Sequence, residues 1–147
     1  MTTLADFTRL LALDHGLCVV STVRADGTVQ SSLVNAGVLA QPTSNAEVLA
    51  FVARANARKL AHLRARPQIT AVAHAGWEWA AVEGDAQLVG PDDPVAGIDG
   101  EALRLLLRAV FTAAGGTHDD WGTFDTVMAT ERRTSVLISP RRIYSNG

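Results

Sequence analysis

The chain has 147 residues and a single cysteine, Cys18. One thiol closes no internal disulfide and builds no Cys-x-x-Cys knuckle, which excludes a disulfide-framed extracellular scaffold. Cys18 lies in the apolar run LCVV and reads as an inert buried thiol. Lysine is as scarce: of 13 basic residues, 12 are arginine and one is Lys59. No run of about 18 apolar residues occurs, so no helical membrane span is expected. The net charge of -2 gives no basic field, and no nucleic-acid partner is expected. The first 16 residues hold Asp6 and Arg9 and lack the pattern of a signal peptide, so the expected location is cytoplasmic. His15, His62, His74 and His118 are scattered, without HxxxH or HExxH spacing, and no metal site is expected. GxGxxG and GxxxxGK[ST] loops are absent, and Ser31 and Ser32 lack a GxSxG elbow.

What remains is 48% hydrophobic and 19% charged, enough to bury one core, and residues 1–147 are read as a single domain. Leu4, Phe7, Leu10 and Leu11 fall on one helical face, with Thr2 or Thr3 as the cap and Gly16 as the stop. Strands are expected at 17–24, 29–39 and 48–53, the first two joined through Asp26-Gly27. A helix capped by Asn56 follows and cannot run past Pro67. Strands at 68–74 and 77–89 meet at Ala75-Gly76, and Gly84 marks a bulge or a bend. Helices are expected at 101–116, stopped by paired glycines, and at 119–130, weakened by Gly122. A last strand, 135–145, contains Pro140, which implies an edge or a bend. The order shows no βαβ alternation. Six strands with tight turns suit a small antiparallel barrel with flanking helices, an α+β fold, because closure removes exposed edges.

Charge is unevenly placed. Residues 48–77 contain no acid but hold Arg54, Arg58, Lys59, Arg64 and Arg66. Asn56, Ala57, Arg58 and Lys59 fall at the expected helix start. Cations there oppose the helix dipole by about 0.3–1 kcal/mol each, a term that a bound phosphate or carboxylate reverses. The segment therefore reads as an anion site, and alternatively as a solvated arginine-rich helix. Trp77 and Trp79 are two apart on one expected strand and share a face, which suits stacking on a planar ring or packing in a core or interface. An anion site, aromatics and no catalytic dyad or triad suit a protein whose cofactor carries the chemistry.

Four stretches, at 21–34 (STVRADGTVQSSLV), 57–72 (ARKLAHLRARPQITAV), 76–88 (GWEWAAVEGDAQL) and 118–121 (HDDW), with the terminal VLISPRRIY, resemble a known family. It is the B group of flavin/deazaflavin oxidoreductases, an actinobacterial branch of the split β-barrel proteins related to pyridoxamine 5'-phosphate oxidase. The resemblance implies a six-stranded split β-barrel homodimer with cofactor sites at the subunit interface. It implies that Lys59 binds the cofactor phosphate. Relatives often carry arginine two residues earlier, where this chain has Ala57, so Arg58 or Arg54 would replace that contact. His62 stands where relatives often have asparagine and would donate a hydrogen bond. Val52, Ala53, Arg54 and Asn56 would form the loop against ring or phosphate, Ser32 and Asn35 would line the site, and Trp77 and Trp79 would reach it from the partner subunit.

The implied cofactor is coenzyme F420, whose phosphate and polyglutamate tail suit the acid-free cationic segment; FMN is the alternative. Catalytic side chains are not named by the sequence. The expected activity is hydride transfer from the reduced deazaflavin to an unsaturated or quinone-like small-molecule acceptor. An FMN-dependent oxidase or reductase of the same fold, and a carrier protein without turnover, are the competing readings. A haem-binding variant has no axial histidine that stands out.

Overall fold

The structure, a computed structural model, describes residues 1–147. Four helices and six strands follow one another as α1 (Leu4–Leu13), β1 (Leu17–Val23), β2 (Val29–Ala40), β3 (Glu47–Ala53), α2 (Arg58–Ala65), β4 (Gln68–Ala75), β5 (Glu78–Val89), α3 (Gly100–Ala113), α4 (Trp121–Thr130) and β6 (Thr134–Ser145). The strands close a barrel in the order β1-β2-β3-β6-β5-β4, every pair antiparallel. The expected α+β barrel is therefore present. No helix is long and apolar enough to cross a membrane.

Alternation places the core. Cys18, Val20, Leu49, Phe51, Ile69, Ala71, Val82, Val136 and Ile138 point inward from five of the strands and form one cluster. Phe7, Leu10 and Leu11 of α1 and Leu60 and Leu63 of α2 complete it. A second cluster lies outside the barrel, where Leu106 and Val110 of α3 cover Val48, Ala50, Val89 and Leu137. α3 reaches β2 through Gly37: a Cβ there would stand 2.2 Å from the carbonyl of Ala113. Only glycine allows that approach.

Turn chemistry follows the residues. Arg24 and Thr28 still pair, so the β1–β2 loop has three residues, with Gly27 at φ 86° and not a two-residue Asp-Gly turn. The Thr3 N–H donates to Asp6 across the start of α1, which settles Thr3 as the cap. The β5–β6 ladder shifts register between Glu83 and Gly84: Glu83 faces Arg142 and Gly84 faces Pro140, so the extra residue, Arg141, lies in β6. Pro140 thus bends β6 inside a closed barrel and marks no edge.

Three expectations are corrected. The α2 cap is Ala57, not Asn56, and no side chain caps the helix. β5 starts at Glu78, so Trp77 sits in the β4–β5 turn, 94% exposed, and does not share a strand face with Trp79. The final helices are both shorter than expected: α3 starts at Gly100, where Asp99 caps it, but ends at Ala113, ahead of the Gly115-Gly116 pair, and α4 starts only at Trp121, where Asp120 caps it by accepting from the Thr123 N–H.

Candidate functional site

The largest cleft has a volume of about 690 Å³, and 11 of its 18 lining residues are hydrophobic. That is the size and character of a small-molecule site. One wall belongs to the barrel: Leu33, Val34 and Asn35 of β2, Val52 and Ala53 of β3, then Arg54, Asn56, Ala57 and Lys59 on the way into α2. The other wall is helical: Val110, Phe111 and Ala114 at the end of α3, His118 from the connection, and Thr123, Phe124, Val127 and Met128 on α4. Arg133, just before β6, completes it.

The barrel wall concentrates positive charge. The chain turns at Arg54, where the Ala57 N–H donates to the Arg54 carbonyl, and α2 then begins without a side-chain cap. Its first N–H groups are left for a ligand. Lys59, in this first turn, is half-buried and has no ion pair or side-chain hydrogen bond, and burial lowers its pKa below the usual 10.5. A desolvated ammonium without a partner is costly unless an anion joins it. Arg54 and Arg133 share one carboxylate, Glu131, at 3.7 and 2.8 Å. The cleft therefore holds three cations with that one acid between them.

Seven of the twelve residues expected at the site line this cleft: Asn35, Val52, Ala53, Arg54, Asn56, Ala57 and Lys59. Five do not. Arg58 is exposed beside it. His62 turns its Nδ1 to the buried Thr22 hydroxyl at 2.9 Å and satisfies the barrel interior. Ser32 lies outside the lining, Trp79 packs edge-on against Tyr144 with ring centres 6.0 Å apart, and Trp77 stands in solvent. Asn35 has a structural task besides, donating to the His15 carbonyl at 2.8 Å. The cationic segment is also smaller than its composition indicates. Arg64 forms a two-pronged pair with Asp93, and the Arg66 guanidinium donates to the Val23 carbonyl.

No residue of the helical wall was among those expected at the site. Its signal was present in the Val110, Phe111, Ala114 spacing along α3 and in the HDDW segment. Phe111, His118, Trp121 and Phe124 form an aromatic group with ring centres 5.1–6.2 Å apart. The Arg108 guanidinium lies 5.3 Å from the Trp121 ring centre and bonds Asp125, as does Arg104. No three histidine, cysteine or carboxylate side chains converge as metal ligands.

A family model described as pyridoxamine 5'-phosphate oxidase matches residues 4–143. Among solved structures, a conserved hypothetical protein from Mycobacterium tuberculosis superposes with a TM-score of 0.70 at 18% identity, over 99% of this chain and 84% of that one. A pyridoxamine 5'-phosphate oxidase-related, FMN binding protein from Nostoc punctiforme gives 0.64 at 14% identity, over 99% and 86%. A protein named F420 reductase gives 0.57 at 17% identity, over 87% and 88%. At such identities the likeness is one of fold.

Proposed function

The chain belongs to the pyridoxamine 5'-phosphate oxidase family, and on that premise we propose that it is a reductase using coenzyme F420, with an unsaturated or quinone-like small molecule as acceptor. The observation that carries the reading is Lys59: half-buried, without a partner, at the uncapped start of α2, on the floor of an apolar cleft. A planar ring system with a phosphorylated arm fits that donor set. The arm would meet Lys59 and the first N–H groups of α2. Val52, Leu33 and Met128 would pack on the ring and exclude water. Arg54 and Arg133 would meet carboxylates farther along a glutamate tail. The reduced deazaflavin supplies a hydride; the chain binds, orients and shields.

FMN remains the second reading, for a specific reason. With Arg64 and Arg66 engaged elsewhere, the cations left near the cleft are fewer than a long anionic tail would use. The FMN binding protein from Nostoc punctiforme shares the fold.

Titrating purified protein with F420 and separately with FMN tests the reading, with tryptophan fluorescence as signal. The reporter is expected to be Trp121, which packs against the cleft residue Phe124 with ring centres 5.2 Å apart. Micromolar or tighter binding of F420 with weaker FMN is the expected result. Lys59→Ala is expected to weaken it at least about tenfold through loss of a charge-assisted contact. Tight FMN binding would replace the reading by a flavin enzyme. Binding of neither would end it.

A further inference from the structure

His118 lies on the loop between α3 and α4 and lines the cleft opposite the cationic wall. Two local features fix its ring. Its Nδ1 accepts the backbone N–H of Asp120, the α4 cap, at 3.0 Å. Its faces and edges pack against Phe111, Trp121 and Phe124, with ring centres 5.7–6.2 Å away. A nitrogen that accepts an N–H carries no proton of its own, so the geometry assigns the neutral tautomer with its proton on Nε2. That N–H has no partner within the protein. It is the one neutral ring donor in a cleft whose other side-chain nitrogen donors are arginine, lysine and asparagine.

Resting on the reading of this cleft as a reductase site, we propose that the His118 Nε2–H is the hydrogen-bond donor to the carbonyl oxygen of a conjugated acceptor. The reaction places negative charge there. When a hydride from the reduced deazaflavin adds to a conjugated carbonyl compound or a quinone, a carbon or oxygen gains the bond to hydrogen. The displaced π electrons end on a carbonyl oxygen, the cofactor is oxidised by two electrons, and a solvent proton completes the product. His118 gives up no proton in this step. A fixed, neutral N–H aimed at an oxygen that becomes anionic lowers the barrier without reorganisation. Phe111 and Phe124 beside it would hold a planar acceptor by its faces.

The test joins two readouts. In protein labelled with nitrogen-15, long-range proton–nitrogen correlation is expected to show His118 protonated at Nε2 and bare at Nδ1. Menadione, a two-ring quinone used as probe, is expected to move the Nε2 signal. In turnover with reduced F420 and menadione, His118→Phe keeps an aromatic ring and removes the donor. It is expected to lower kcat at least tenfold, and by up to about 10²-fold, with F420 affinity within twofold of wild type. His118→Gln, which returns an amide donor near the Nε2 position, is expected to recover part of kcat. If His118→Phe does not fold, His118→Gln and the nitrogen spectrum decide. A proton on Nδ1, an Nε2 signal that menadione leaves unmoved, or wild-type kcat in a folded His118→Phe overturns the proposal. So does a His118→Phe defect confined to F420 affinity. If neither F420 nor FMN binds while menadione still moves Nε2, the cofactor reading fails and the donor stands.

Discussion

Lys59 shows what a single side chain can reveal when its surroundings disagree with it. Burial holds its pKa below 10.5, so its charge is lost at a lower pH than a solvated lysine's. The sign for binding follows: affinity for a phosphate is full while the ammonium is charged and falls as pH rises through that lowered value. Lys59→Arg keeps a charge at any accessible pH. Dissociation constants measured from neutral to alkaline pH are expected to rise in the wild type and stay level in Lys59→Arg; parallel curves would remove Lys59 from the site. This residue was legible because it is the sole lysine in an arginine-biased chain. His62 and Trp77 were not legible. The role of His62 depends on Thr22, 40 residues away, and that of Trp77 on where a turn ends. Neither quantity is local.

At the scale of elements, what could be read was whatever alternation and turn residues dictate: six strands, four helices, and an irregularity at Gly84, although the extra residue there belongs to β6. What could not be read was which element meets which. β3 pairs with β6 across most of the chain, and α3 seats its end on Gly37, contacts with no trace in local pattern. The helical wall of the cleft was hidden for that reason. Gly37→Ala would drive a methyl into the Ala113 backbone at 2.2 Å. It is expected to cost about 1–3 kcal/mol and to weaken cofactor binding by shifting α3, read by thermal unfolding and the same titration; an unchanged midpoint would show that α3 is not anchored there. The α3–α4 contact has a charge clamp of its own. Arg108 and Arg104 hold the Asp125 carboxyl down to about 2 from 3.8. A lowered folded value means the clamp stabilises fully above 3.8 and is lost as pH falls through about 2. Acid titration followed by tryptophan fluorescence is expected to show a step in that window that Asp125→Asn lacks.

For the whole molecule the open question is what covers the outer face of the barrel. Val19 of β1 pairs with Leu33 of β2 and Val72 of β4, making an apolar row across three strands. Leu33 is 61% and Val19 39% exposed, and Val29 lies farther along the same face. A contiguous apolar patch left exposed on a sheet face is a candidate interaction surface. Leu33 also lines the cleft, so a body seated on this row would border the cofactor. We propose that the body is a second copy of the chain, which is the arrangement the family resemblance implies. Leu33 cannot test this cleanly, because its substitution alters cleft and face together. Val19 lines no part of the cleft. Light scattering at micromolar concentration is expected to give about twice the 15.6 kDa chain mass, and Val19→Glu about one chain. A buried, unpaired carboxylate is expensive at an interface. F420 affinity is expected to fall with the loss of the dimer, because the cleft would then lack the wall that a second copy seated on Leu33 would give it. A wild-type monomer would overturn the shared site; a Val19→Glu dimer with unchanged affinity would move the interface to another face.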